Sequence, residues 1–160
     1  MHATFATFKA LSVTVLVAAL VGLPTGAQAI EAYDAALTMV RDLHLGDNMR
    51  TSAEYTARQT VIYATFRTQW GDAKAEAVLQ DELDRVRPQF QDTWDRNLAA
   101  SYSEFLTADE LVLLRRLGQS SPAYSKYLSA QNAINARVKT RSTELLRSYL
   151  MAVFEAMRRR

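Results

Sequence analysis

Beyond Ile30, glycine and proline occur only at Gly46, Gly71, Pro88, Gly118 and Pro122, each where a run of apolar residues at helical spacing is interrupted. Between these marks no strand-period alternation of useful length occurs, so the chain reads as helices joined by short turns. Tyr33, Leu37, Val40 and His44 form a first stripe that stops at Gly46, a natural C-terminal cap. Asp47 or Asn48 can cap a second helix carrying Tyr55, Ile62, Phe66 and Trp70 to Gly71, and Asp72 can cap a third. Leu79, Leu83, Val86, Phe90, Trp94, Leu98, Tyr102 and Phe105 then hold one face across Pro88. A proline inside a helix removes a hydrogen bond and clashes with the preceding turn, so two helices sharply joined near Arg87 are expected.

Thr107-Ala108-Asp109-Glu110 is a capping box. The Thr107 hydroxyl can accept from the Glu110 amide while the Glu110 carboxylate returns to the Thr107 amide, and the apolar run Leu111, Leu114, Leu117 follows. Gly118 ends that helix, and Ser121-Pro122 supplies an N-cap and a first-position proline for the last one. Nothing then stops the stripe Tyr127, Ile134, Val138, Leu145, Tyr149, Val153 before Arg160. Unbroken, this helix would be about 57 Å long over about 38 residues. Toward its end Leu145, Leu146, Tyr149, Leu150, Val153, Phe154 and Met157 widen the apolar face to roughly half the cylinder, which calls for more than one covering neighbour. The expected fold is a single all-α domain over residues 30–160, a bundle of five or six helices with a long C-terminal helix.

Residues 1–29 read as a cleavable signal peptide. Lys9 precedes an apolar stretch from Ala10 to Leu23, a break at Gly22, Pro24 and Gly26, and the small-residue site Ala27-Gln28-Ala29. The stretch is about 14 residues, short of the roughly 20 a membrane-spanning helix needs, so a cut after Ala29 and a periplasmic location are expected. The chain contains no cysteine, which excludes disulfides, a lipid-modified cysteine and thiolate chemistry.

Charge is divided along the chain. From Ile30 to Glu110 there are 8 basic and 15 acidic residues, and from Leu111 to Arg160 there are 10 basic and 2 acidic. The plain expectation is that the two halves lie against each other and neutralise. The alternative is a basic flank that meets an anionic partner.

Tyr102-Ser103-Glu104-Phe105-Leu106-Thr107-Ala108-Asp109-Glu110-Leu111, followed by Ser121-Pro122, resembles the bacterial exported helical family called domain of unknown function 2059. Tyr102, Thr107, Glu110, Leu111, Ser121 and Pro122 match that family's pattern, and Leu43, Leu45, Gly46 and Met49 are similar to its first helix and turn. Leu106, Leu117-Gly118 and Tyr124 depart from it. The resemblance implies an exported, mostly helical domain with no established activity, and it carries no catalytic residue.

His44 is the only histidine after the expected cut, there is no Gly-rich phosphate loop, and no glutamate stands three residues before His44 as di-iron bundles require. Asp81, Glu82 and Asp84, with Glu76 and Asp92 near by, lack a calcium loop's glycine and spread over more than one helix face, so they read as a solvated surface. Tyr63, Phe66, Trp70, Trp94, Tyr102 and Phe105 recur at helical intervals and are assigned to the core. No catalytic group, metal site or cofactor is expected, nor is nucleic acid as a partner.

The candidate partner or lipid surface lies on the last helix: Arg137, Lys139, Arg141, Arg147, Leu150, Phe154, Arg158, Arg159 and Arg160, with Lys126 on the same flank. Two functions follow from it. The first is a non-enzymatic module that binds another protein or itself through the wide apolar face, and the second is binding to an anionic membrane surface. A third, a chaperone-like holdase, is suggested by the Leu106-Thr107 helix start and the charged helices.

Overall fold

A computed structural model describes residues 26–160. The Lys9 region and the apolar stretch of the expected leader lie outside the described residues. Those residues form seven α-helices and no strand.

The first helix, α1 (Gly26–Asp42), runs through Ala27-Gln28-Ala29. It ends four residues before Gly46, at Asp42, and His44 in the turn that follows takes the left-handed conformation, at φ 52°. Gly46 serves a different need. It is buried in the 3-10 turn Leu45–Asp47, where an added Cβ would lie 1.9 Å from Asp95 Oδ1 and 2.7 Å from Gln91 Nε2. Those side chains are fixed in place, since Gln91 Nε2 donates to the Gly46 carbonyl at 3.0 Å and to Asp95 Oδ1 at 2.8 Å. Gly46→Ala is therefore expected to destabilise by about 1–3 kcal/mol through overpacking. The reading is a lower urea midpoint at unchanged slope, and Asp95→Ala in the same chain should recover part of the loss.

The single second helix expected from Asn48 to Trp70 is instead two, α2 (Asn48–Arg58) and α3 (Val61–Trp70). Thr60 divides them. Its backbone is extended, its hydroxyl accepts from the Tyr63 amide at 3.1 Å and donates to the Ala57 carbonyl at 2.7 Å, so it caps one helix while closing the other. Gly71, at φ 81°, ends α3. The joint at Pro88 is as expected, with α4 (Asp72–Val86) and α5 (Pro88–Ser103) separated by Arg87 alone. Pro88 takes the first helical position, where its missing N–H costs nothing.

Both bonds of the capping box are present at the start of α6 (Ala108–Leu117), at 2.8 Å and 3.4 Å. Gly118, at φ 55°, leads into a 3-10 turn, Gly118–Ser120. The last helix, α7 (Tyr124–Arg158), is unbroken over 35 residues. At about 1.5 Å per residue it is about 52 Å long. It begins later than expected. The Ser121 hydroxyl accepts from the Ala123 amide at 3.1 Å and builds a turn with Pro122, leaving Ala123 as the N-cap.

In packing, α1 lies against α5 and α6, while α7 runs the length of the molecule over α5 and then α4 and α2. One continuous core results, with Val40, Met49, Leu79, Leu83, Leu111, Tyr149, Val153 and Met157 fully buried. The wide apolar face of α7 is covered inside the chain. Leu150 and Phe154, expected at a partner or lipid surface, are only 6% and 2% exposed. The Phe154 ring lies 6.4 Å from that of Phe66 on α3, the Phe90 ring of α5 is 5.3 Å from Tyr149, and the Tyr149 hydroxyl donates to the Leu83 carbonyl of α4 at 2.6 Å. α3, α4 and α5 thus each cover part of the face.

A candidate binding groove

Half of the basic residues from Lys126 to Arg160 reach acids of the earlier helices, and three more pair within the last helix, so the flank is largely neutralised. Arg137 Nε lies 2.8 Å from Glu104, and Arg141 pairs with the same carboxylate. Lys126 bridges both oxygens of Glu110, at 2.7 Å and 2.8 Å, and so ties the capping box of α6 to the start of α7. Burial pushes the Glu110 carboxyl up, but Lys126 and the Thr107 amide outweigh it and hold the group below its ordinary range. Arg160 Nε lies 2.6 Å from Glu82, and Arg160 also pairs with Asp81. Arg158 and Arg159 share Glu155, and Arg147 stands 3.7 Å from Glu144. Lys139 has no ion pair among the described residues. Such exposed pairs contribute roughly 0–1 kcal/mol each, so their consequence is the cancellation of the basic field rather than stability.

The acidic patch is spoken for in the same way. Asp84 accepts from Arg50 at 2.6 Å, Glu76 from Arg58 at 2.6 Å and from the Tyr63 hydroxyl at 2.7 Å, and Asp92 from Arg41 at 2.7 Å. The Arg58 hydrogen bond is the main force taking the Glu76 carboxyl down to about 2, against burial, with Tyr63 and Gln80 adding to it. Among the described residues no three His, Asp or Glu side chains converge as a cation site. His44 lines a polar cleft with Asp47, Asp92 and Asp95, where the Arg41 to Asp92 pair closes one side.

The face that remains apolar and open is also at the C-terminal end of α1, beside that cleft. There a recess of about 420 Å³ forms where five segments meet. Met39 comes from the end of α1, and Leu43 and Leu45 from the turns after it. Tyr102 comes from α5, Leu114 and Gly118 from the end of α6, and Tyr124 and Tyr127 from the start of α7, with Gln119 at the side. The Tyr102 and Tyr127 rings stack with centroids 6.3 Å apart, and Tyr124 tilts against Tyr127 at 5.9 Å. Burial first, then the neighbouring Tyr127, pushes the Tyr102 hydroxyl up to about 12, so it stays neutral at any physiological pH.

No Asp, Glu, Lys, Arg or His lines this recess. Its apolar character continues onto the surface, since Leu43 on the lining is 45% exposed. Leu117 and Leu128, each next in the chain to a lining residue, are 49% and 48% exposed. Of these three leucines, Leu43 stands at the mouth of the recess. Chemically the arrangement offers contact area and neutral hydroxyl donors.

Sequence reasoning placed Tyr102 in the core, where the structure has it half-buried in the groove wall, and it missed Leu43, Leu45, Leu114, Tyr124 and Tyr127 as a group. The signal that could have found them is the Tyr124 and Tyr127 pair at three-residue spacing beside Leu128. It puts aromatic and leucine side chains on adjacent faces of a helix start too wide for α5 and α6 to cover. Among the described residues no helix is long and apolar enough to cross a membrane. The chain matches no protein-family model, no curated protein and no solved structure in comparisons with each.

Proposed function

We propose that this chain is a non-enzymatic interaction module, exported to the periplasm by its N-terminal leader, that holds a protein partner in the tyrosine-lined groove between the end of α1 and the start of α7. The observation that carries the reading is the extent of the apolar surface. The recess of about 420 Å³ is walled by Met39, Leu43, Leu45, Leu114 and three tyrosines with no acid or base other than those tyrosines, and it opens at Leu43, which is 45% exposed. Tyrosine is enriched where binding energy concentrates at protein interfaces, because it supplies a large apolar body with a polar tip. The membrane reading loses its apolar half, since Leu150 and Phe154 lie in the core, and most of its cations are paired within the chain.

Site-specific photo-crosslinking in native cells tests this. A benzoylphenylalanine side chain placed at Leu43 or Gln119, both on the lining, is expected to give a protein adduct on irradiation. The same group at Thr140, exposed on α7 far from the groove, is expected to give none. Equal adducts from all three positions, or none from any, would remove the groove as the recognition surface.

A further inference from the structure

The helices differ in what holds them in the bundle, and α2 is the one held mainly by charge. We propose that α2 is an acid-released segment, which leaves α4 as a unit while the rest of the bundle stays folded once the carboxylates facing Arg50 and Arg58 are protonated.

Three observations carry it. The buried side chains of α2 are Met49, Ala53 and Ala57, so one methionine is its only large buried apolar group. Its neighbours bury more: α3 holds Tyr63 and Phe66, and α4 holds Leu79, Leu83 and Val86. The hydrophobic contribution follows the apolar area removed from water, so α2 has the weakest apolar hold of the described helices.

A ladder of ion pairs runs along the seam between α2 and α4. Arg50 donates to Asp84 at 2.6 Å and to Glu54 at 2.9 Å, while Arg58 reaches Glu54 at 2.7 Å and Glu76 at 2.6 Å. Gln80 joins the rungs, accepting from Arg50 and donating to Glu76 at 2.6 Å. The Arg50 and Glu54 side chains at its middle are only 26% and 19% exposed, so water screens this network less than it screens an isolated surface pair.

The other polar groups around the seam cannot stand in for its acids. From α3 the Tyr63 hydroxyl donates to Glu76, and Arg67 pairs with Asp72. Lys74 lies over the Trp70 ring, and Asp81 and Glu82 are held by Arg160 and Arg85. Arg87 adds a further cation near Asp84, α7 brings the Tyr149 hydroxyl, which donates to Leu83, and Asp47 in the turn before α2 is exposed. With Glu54, Glu76 and Asp84 protonated, the seam keeps its arginines and loses the carboxylates that face them. The Arg58 hydrogen bond holds the Glu76 carboxyl down at about 2, and the Arg50 hydrogen bond holds Asp84 below its ordinary value. Folded values below the unfolded ones mean that the ladder stabilises in full above the ordinary 4.5 of a glutamate and is lost as pH falls toward 2.

Hydrogen exchange of the full chain at pH 7 and pH 3, read by mass spectrometry and corrected for intrinsic rates, tests this. At pH 3 the amides of residues 51–58 are expected to be about tenfold less protected than at pH 7, and about tenfold less protected than those of residues 92–103 in the same sample. Glu76→Gln with Asp84→Asn keeps the shapes and removes two charges, and should reproduce the loss in α2 at pH 7. Protection of α2 that matches α5 at pH 3, whether both are high or both are lost, overturns the proposal, because α2 then has no opening of its own. Equal protection of α2 at the two pH values overturns it too, as does a folded double variant whose α2 exchanges as slowly as the parent's at pH 7. If the double variant does not fold, the comparison of pH values in the parent decides alone.

Discussion

Replacing Phe154 with alanine is expected to lower the unfolding free energy by about 3–5 kcal/mol, the range for deleting a buried phenylalanine. For a domain of this size that shifts the thermal midpoint by on the order of 15 °C. The physical content lies in who covers the ring. Phe154 is 2% exposed and sits against Phe66, whose ring is itself 4.7 Å from Trp70. Truncation leaves a void against Phe66, and a close-packed interior fills such a void only in part. Met151, on the same helix but 49% exposed, is the control, and Met151→Ala should stay within about 0.5 kcal/mol of the parent. If the wide face of α7 were open to a partner, the two variants would behave alike in the isolated chain. Thermal and urea unfolding followed by circular dichroism separates the cases.

That contrast shows where the sequence was legible and where it stopped. The helical period, the break at Pro88 and the box from Thr107 to Glu110 are local devices, and each appears where the residues put it. Gly46 and Thr60 misled for a physical reason. Gly46 is demanded by Asp95 and Gln91, which lie more than forty positions away in the chain, so its purpose is steric and distant rather than a helix stop. Thr60 looks like any helical threonine until its hydroxyl is seen to cap Tyr63. The width of the α7 face was correctly read from Leu145 to Met157, but width alone does not say whether the neighbours are internal. The groove was the least legible feature, because its five contributing segments meet only in the folded chain.

The charge asymmetry makes the last prediction, and Glu82 is its centre. This carboxylate is fully buried on α4, yet two guanidiniums reach it, Arg85 from one turn along the same helix and Arg160 from just beyond the end of α7. Burial pushes its pKa up, but the two arginines outweigh burial and leave it below the ordinary 4.5. With the folded value depressed, the ionised carboxylate stabilises the fold above the unfolded-state pKa, and that contribution is lost as pH falls through the folded value. Arg85→Ala or Arg160→Ala alone leaves one cation in place and should cost little. The double variant strands a buried carboxylate, which costs about 3–5 kcal/mol when a buried pair is broken. Both arginine side chains are about half exposed, so water replaces part of what they supply, and the low end, about 3 kcal/mol at pH 7, is expected. The sign then reverses with pH. Without its cations Glu82 has a raised folded pKa, so the penalty is full above that value and shrinks as pH falls toward the unfolded one, and the gap between parent and double variant is smaller at pH 4 than at pH 7. Glu82→Gln added to the double variant removes the stranded charge and should recover most of the loss at pH 7. Urea unfolding of the parent, single, double and triple variants at pH 7 and pH 4 measures all of this. Additive single losses that do not change between the two pH values would mean that Glu82 is not what holds the end of α7 against α4.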